Sequence, residues 1–141
     1  MKIAIASDHG GYGAKKAVVD WLTEAGYSFV DLGPDSEESV DYPIYAGKVC
    51  DHIQSGLVDR GILICGTGIG MSMAANKDKG IRAALCNDLF AARLSREHND
   101  SNVLCMGGRQ IGPGLAKEIL FTWLETEFEG DRHLRRISMF S

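Results

Sequence analysis

The chain has 141 residues, 45% of them hydrophobic and 24% charged, with a formal net charge of −4. That length suits one compact domain with a real core, and the acidic balance argues against a nucleic-acid binder, which needs a broad basic surface. No apolar run approaches the roughly 18 residues of a membrane span, and "MKIAIASDHGG" is too short in apolar residues for a secretory signal, so neither a membrane nor a nucleic-acid partner is expected and the expected address is the cytoplasm.

In chain order, strand-like and helix-like stretches alternate. "KIAIAS" reads as a short buried strand. A helical stripe follows, with Ala14, Ala17, Val18, Trp21, Leu22 and Ala25 on one face and Gly26 as its stop. "SFVDLG" is a second strand. Asp41 then stands as an N-cap with Pro43 in the first turn, ahead of a helix whose apolar face is Tyr42, Tyr45, Ala46, Val49, Cys50 and Ile53. "GILIC" is the third strand, "SMAANK" a short helix closed by Gly80, and "IRAALC" the fourth strand. Asn87 can cap the next helix, with Phe90, Ala91 and Leu94 as its buried face. "NVLCMG" is the fifth strand, and a last long helix carries Leu115, Ala116, Ile119, Leu120, Trp123 and Leu124.

This alternation predicts an open, doubly wound parallel sheet with helices on both faces. The strands are apolar throughout rather than alternating, as expected where both faces are covered. In such folds ligands bind beyond the carboxyl ends of the strands. Those ends carry Ser7-Asp8-His9-Gly10-Gly11, Cys65-Gly66-Thr67-Gly68-Ile69-Gly70, Asn87-Asp88 and Gly107-Gly108-Arg109. Turn chemistry alone accounts for the glycines and Asn87; it accounts less well for His9 and Arg109.

A glycine loop opening a helix leaves backbone amides free to hold an anion or stabilise one as it forms. A tight strand-to-helix turn fits the same glycines. A dinucleotide loop fits less well: Gly66 and Gly68 begin a G-x-G-x-x-G, with Asp88 about twenty residues on, but Met71 stands at the third glycine position. The Walker G-K-[ST] is absent. Cys65, at the strand end before a helix, has its thiolate favoured by the dipole and could take a proton or act as a nucleophile. A packed strand-end cysteine is the other reading of the same position.

Of the four cysteines, Cys50, Cys65, Cys86 and Cys105, none forms a C-x-x-C pair. Free, buried thiols are expected. Cys50-x-His52 fits no zinc spacing, so no metal site is expected. His52 reads as a surface residue. His98, closing a helix before the fifth strand, can move a proton near neutral pH or simply favour the helix dipole. Arg132 and Arg136, four apart in "GDRHLRRISMFS", would point the same way on one helical turn. Two guanidinium forks suit a phosphate; a solvated helix end is the alternative.

Together, "SDHGG", "DYP", "ICGTGIGMSMAANK", "SREHND", "NVLCMGGR" and "GDRHLRR" closely resemble the ribose-5-phosphate isomerase B family and its relatives, the galactose-6-phosphate isomerase subunits, in order and over nearly the whole chain. The resemblance implies a Rossmann-like three-layer α/β/α sandwich with a five-stranded parallel sheet, without a nucleotide, metal or other cofactor. It implies one domain over residues 1–141 in a dimer or tetramer with shared active sites, the tail 129–141 packing on a neighbouring subunit. It assigns Cys65 as the base, the loop Gly66, Thr67, Gly68, Ile69 and Gly70 as the anion hole, and His98 as the ring-opening group with Asn99 beside the substrate. Asp8 and His9 match the sugar-contacting pair, and Arg109, Arg132 and Arg136 the substrate and phosphate arginines. Some members carry a glutamate base further along the loop; that position is Met71 here, which cannot take a proton, so this chain is of the cysteine type. The implied activity is the interconversion of ribose 5-phosphate and ribulose 5-phosphate. Isomerisation of galactose 6-phosphate or allose 6-phosphate, and a non-catalytic sugar-phosphate binding module, are the alternatives.

Overall fold

A computed structural model describes residues 1–141. Five strands, β1 (Lys2–Ser7), β2 (Ser28–Asp31), β3 (Arg60–Cys65), β4 (Ala83–Leu85) and β5 (Val103–Gly107), form one sheet in the order β2-β1-β3-β5-β4. Every pairing is parallel. Six helices connect and follow them: α1 (Tyr12–Glu24), α2 (Tyr42–Gln54), α3 (Ile69–Ala75), α4 (Leu89–Glu97), α5 (Pro113–Glu125) and α6 (Arg132–Ile137). A single 3-10 turn, His9–Gly11, leads into α1.

The apolar strands are buried on both faces, and their side chains sort by parity. Ile3, Ile5, Ile62, Ile64, Leu104 and Met106 join Val18, Leu22, Ile119, Leu120 and Trp123 in one core, under α1 and α5. Ala4, Ala6, Leu63, Cys65, Val103 and Cys105 join Ala46, Val49, Cys50, Met71 and Ala75 in the other, under α2 and α3. Successive strand residues point to opposite faces, so a continuous apolar run feeds two cores. The result is the three-layer arrangement expected from the sequence.

Two local expectations are corrected and one is met in position only. Asp88, not Asn87, caps α4: its Oδ1 accepts the Ala91 N–H at 2.7 Å. The buried face of α4 is Ala92, Ser95 and Arg96, while Phe90 is 65% exposed. That face is polar because it covers a hydrogen-bonded network. Arg96 donates to Asp100 Oδ1 (2.8 Å), to the Thr126 carbonyl (3.2 Å) and to the Ser101 carbonyl. Trp123 Nε1 donates to Ser101 Oγ at 2.8 Å. A buried guanidinium is tolerable only when its donors are matched in this way. Asp41 occupies the N-cap position of α2, but its side chain makes no capping bond.

β4 is shorter than its apolar run, Ala83 to Leu85. It is an edge strand paired only with β5, and at Arg82 the backbone N–H turns to the Asn102 side chain, 2.8 Å away.

Candidate active site

The sheet changes winding direction between β1 and β3, which places a crevice at their carboxyl ends. Cys65 ends β3 there and is 5% exposed. Its Sγ accepts a hydrogen bond from the Gly68 N–H at 3.1 Å. Thr67 Oγ1 accepts the Ile69 N–H at 3.2 Å. The amides of Gly66, Thr67, Gly70 and Met71 donate to no acceptor within the chain. The loop therefore carries free N–H groups close in sequence to a thiol that already receives one of its amides.

The glycines have steric reasons. Gly68 sits at φ +77°, and a Cβ there would lie 2.6 Å from Leu85 Cδ1 and 2.9 Å from the Met106 carbonyl carbon. A Cβ on Gly70 would lie 2.7 Å from the Tyr42 ring. Tyr42 thus belongs to the wall of this crevice. From sequence it belongs only to the apolar face of α2, since a helix-face tyrosine carries no local sign of which loop it meets.

The other strand ends are bound to the same loop. The Gly108 N–H donates to the Cys65 carbonyl at 2.8 Å and the Arg109 N–H to the Gly66 carbonyl at 3.0 Å. The Arg109 side chain runs across Gly66 and Gly10: Cβ positions built on those glycines would lie 3.6 Å from its Nη1 and 3.4 Å from its Cζ. Asp8, 8% exposed, accepts the Gly11 N–H at 3.0 Å. His9 Nδ1 accepts the Val40 N–H at 3.2 Å. Asp8, His9, Cys65, the loop Gly66–Gly70 and Arg109 therefore gather at the same carboxyl edge of the sheet.

His98 and the tail lie elsewhere. His98 is the C-cap of α4, on the side where the strands begin. Residues just beyond it open the strands: the Asn102 carbonyl accepts the Gly61 N–H, and the Asn102 N–H donates to the Arg82 carbonyl. Cys65 instead pairs with Gly107, at the far end of β5. Four strand steps at about 3.3 Å each put at least roughly 13 Å between the two ends. Within one chain, Cys65 and His98 face opposite edges of the sheet.

Around His98 a second cluster forms. The Glu129 N–H donates to the Glu97 carbonyl at 3.1 Å, bringing the tail against α4. His133 on α6 stacks on His98, with ring centroids 4.2 Å apart and 14° between planes. His133 is 6% exposed, and its Nε2 has no hydrogen-bond partner; Glu129 Oε2 lies 3.5 Å away. Burial, then the neighbouring Arg132 and His98, holds the His133 imidazole below its ordinary value. Arg132 and Arg136 are exposed on the same short helix, and Asn99 is exposed beside it. His133 was not singled out in the sequence; its spacing from Arg132 and Arg136 was visible, its stacking partner was not.

His98, Glu129 and His133 have ligand atoms within 4.8 Å of one another. Near-parallel stacked rings direct their in-plane lone pairs side by side, so one ion cannot lie in both ring planes as a tetrahedral site requires. Arg132 and Arg136 stand on the same short helix as His133.

His52 is half-buried rather than free on the surface, its Nδ1 2.9 Å from the Lys48 carbonyl. All four cysteines are free and buried. Burial pushes Cys50 up to about 12 and Cys86 to about 11, and raises Cys105 well above its ordinary value. No helix is long and apolar enough to cross a membrane.

The molecule is a doubly wound α/β fold with a thiol and a loop of free amides at the carboxyl end of β3. The comparisons with known proteins place it in an isomerase family. The family described as Ribose/Galactose Isomerase matches residues 3–140. YwlF of Bacillus subtilis is 56% identical over 142 residues, covering 100% of this chain and 95% of its own. Ribose-5-phosphate isomerase B of Escherichia coli is 49% identical over 136 residues, covering 96% and 91%. The solved structure of Clostridium thermocellum ribose-5-phosphate isomerase B superposes with a TM-score of 0.97 at 52% identity, covering 99% of this chain and 94% of that one. The chain belongs to the ribose/galactose isomerase family.

Proposed function

We propose that this isomerase interconverts ribose 5-phosphate and ribulose 5-phosphate. The observation that carries the reading is the Cys65 thiol, held by the Gly68 N–H beside four unpartnered loop amides. Aldose–ketose isomerisation needs a base for the C2 proton and a cradle for the oxygen that becomes negative. Cys65 as thiolate takes the proton from C2 of the open-chain aldose, and the carbonyl electrons move onto O1. The loop amides stabilise that enediolate oxygen. The proton then passes from Cys65 to C1, the C2 hydroxyl proton passes to O1, and the ketose results with atoms and charge balanced.

Phosphosugars are mostly ring-closed, so a separate acid–base group must first open the ring. His98, supported by its stack on His133, is suited to that. Arg132 and Arg136 hold the phosphate as a remote handle whose binding energy keeps the reacting carbons in register. Asp8, His9, Asn99 and Arg109 contact the sugar.

The reading requires two copies of the chain. Cys65 and His98 lie toward opposite edges of the sheet, so one site takes its base and anion hole from one subunit and its ring opener and phosphate arginines from another. The tail 129–141 is then the segment that closes a neighbour's site. Exposed apolar residues on the helices and tail support such a contact: Ile69, Met73, Leu89, Phe90, Leu134, Met139 and Phe140 are each at least 38% exposed.

A substrate panel with purified protein, without added metal or nucleotide, tests the reading. Turnover should be fastest on ribose 5-phosphate. Faster turnover of galactose 6-phosphate or allose 6-phosphate would move the assignment to six-carbon sugars. Binding without turnover of any aldose phosphate would leave only a binding module.

A further inference from the structure

His9 is a histidine in a catalytic crevice, and histidines there are usually read as proton shuttles. Its surroundings give it a narrower role. The backbone N–H of Val40 points at its Nδ1, 3.2 Å away. An N–H cannot donate to a nitrogen that already carries a proton. Nδ1 is therefore the acceptor, and the ring proton of the neutral imidazole sits on Nε2. The Nδ1 contact is the one hydrogen bond that the His9 ring makes within the chain.

We propose that the segment from Gly33 to Asp41 is a strap that locks His9 in its Nε2–H tautomer, so that His9 acts as a fixed hydrogen-bond donor to the substrate rather than as an acid or base. Val40 is the positioning residue, and it acts through its main chain. The proposal rests on the crevice being a sugar-phosphate site; the tautomer itself does not.

The strap is held at both ends. At its start the Gly33 carbonyl accepts the Ser7 N–H (3.1 Å), and Lys15, 1% exposed, donates to Asp31 Oδ1 (2.8 Å) and to the Pro34 carbonyl (2.7 Å). Tyr12 Oη donates to the Asp35 carbonyl at 3.1 Å. At its end the chain enters α2, whose Ala46, Val49 and Cys50 are core residues. Between, residues 35–39 are exposed, and the Val40 N–H is the one main-chain donor of the central strap that reaches the crevice. A backbone donor is suited to this task. Unlike a carboxylate or hydroxyl, it cannot reverse its polarity, so the tautomer it selects holds at any pH where the ring is neutral.

A fixed donor is useful to an isomerase. Sugar hydroxyls both give and accept hydrogen bonds. A site group that can do either binds a hydroxyl in two orientations, and only one of them matches the reacting form. A group that only donates imposes one orientation.

Two measurements decide the proposal. The first needs no turnover. In protein labelled with 15N-histidine, the neutral His9 ring should show a protonated Nε2 and an unprotonated Nδ1. An Nδ1–H tautomer, or rapid exchange between the two, overturns it, whatever the substrate proves to be. The second is kinetic. His9→Gln keeps an N–H donor near the Nε2 position but cannot titrate, so it should retain kcat/KM within about tenfold, whereas His9→Ala should lose about a hundredfold. Equal loss in both variants means that a donor is not enough and overturns the role. Val40→Pro removes the N–H; it should cost about tenfold against Val40→Ala, yet less than twofold when His9 is already Gln, because the strap then has no tautomer to set. An equal cost in both backgrounds would make the strap merely structural. If Val40→Pro does not fold, the spectrum and the Gln/Ala pair still decide.

Discussion

Cys65 differs from the other three cysteines by position rather than by burial. Burial raises Cys50, Cys86 and Cys105 far from neutrality, with Asp78 adding to it at Cys50, whereas the Cys65 sulfur receives the Gly68 N–H. Iodoacetamide at pH 7.5 should therefore modify Cys65 alone, and bound substrate should protect it; labelling that spreads evenly over the cysteines would count against an activated thiol. Cys65→Ala should lower kcat by several orders of magnitude while substrate still binds, as expected of a group that acts in the transition state. His98 makes a separable prediction. His98→Gln should slow turnover of ribose 5-phosphate much more than turnover of an aldose phosphate too short to cyclise. Equal losses on both would assign His98 a task other than ring opening.

At the scale of elements, the loop between β3 and α3 is shaped by what lies behind it. In Gly68→Ala the new methyl would meet Leu85 and the Met106 backbone at a positive φ. The expected cost is about 1–3 kcal/mol of stability, read as a fall in the denaturation midpoint, together with lost activity as the amides move away from Cys65. A variant with wild-type stability would mean that β5 yields more readily than its burial suggests. α6 supplies a pH prediction. His133 is held below its ordinary value, so in the unfolded chain it takes up a proton near pH 6.5 but in the folded chain only at lower pH. Across that window the unfolded state binds more protons, and stability is lost as pH falls below about 6.5. Thermal midpoints should drop between pH 7 and pH 5, and His133→Gln should flatten that slope. An unchanged slope would move the sensitivity to other groups.

For the whole molecule, the proposed division of the site between two subunits is tested by mixing. A Cys65→Ala chain and an Arg132→Ala/Arg136→Ala chain are each expected to be nearly inactive. After subunit exchange, a mixed dimer contains one site with its thiol, loop and arginines all intact, so activity should recover toward half that of one wild-type dimer. Mixing Cys65→Ala with His98→Ala should recover it in the same way. If exchange is demonstrated and activity stays at the parental level, the tail serves its own subunit and the two-chain site is wrong.

By itself the sequence determined the alternation of strands and helices, the parallel sheet, and the thiol-and-glycine loop at a strand end. These are local properties. Apolar runs such as Ile62–Ile64 and stripes such as Val18–Leu22 report burial directly, and a strand that runs into Gly66 and Gly68 must turn there. Tertiary structure decided what depends on neighbours distant in the chain. The face that α4 buries is set by the Arg96–Ser101–Trp123 network beneath it, which no hydrophobic periodicity reveals. Tyr42 becomes a crevice wall only because α2 lies beside α3. His9 Nδ1 meets a backbone amide 31 residues away. The separation of Cys65 from His98 follows from strand direction: a residue that ends a strand and a residue that precedes one lie at opposite edges of a parallel sheet, however close their chemistry must come.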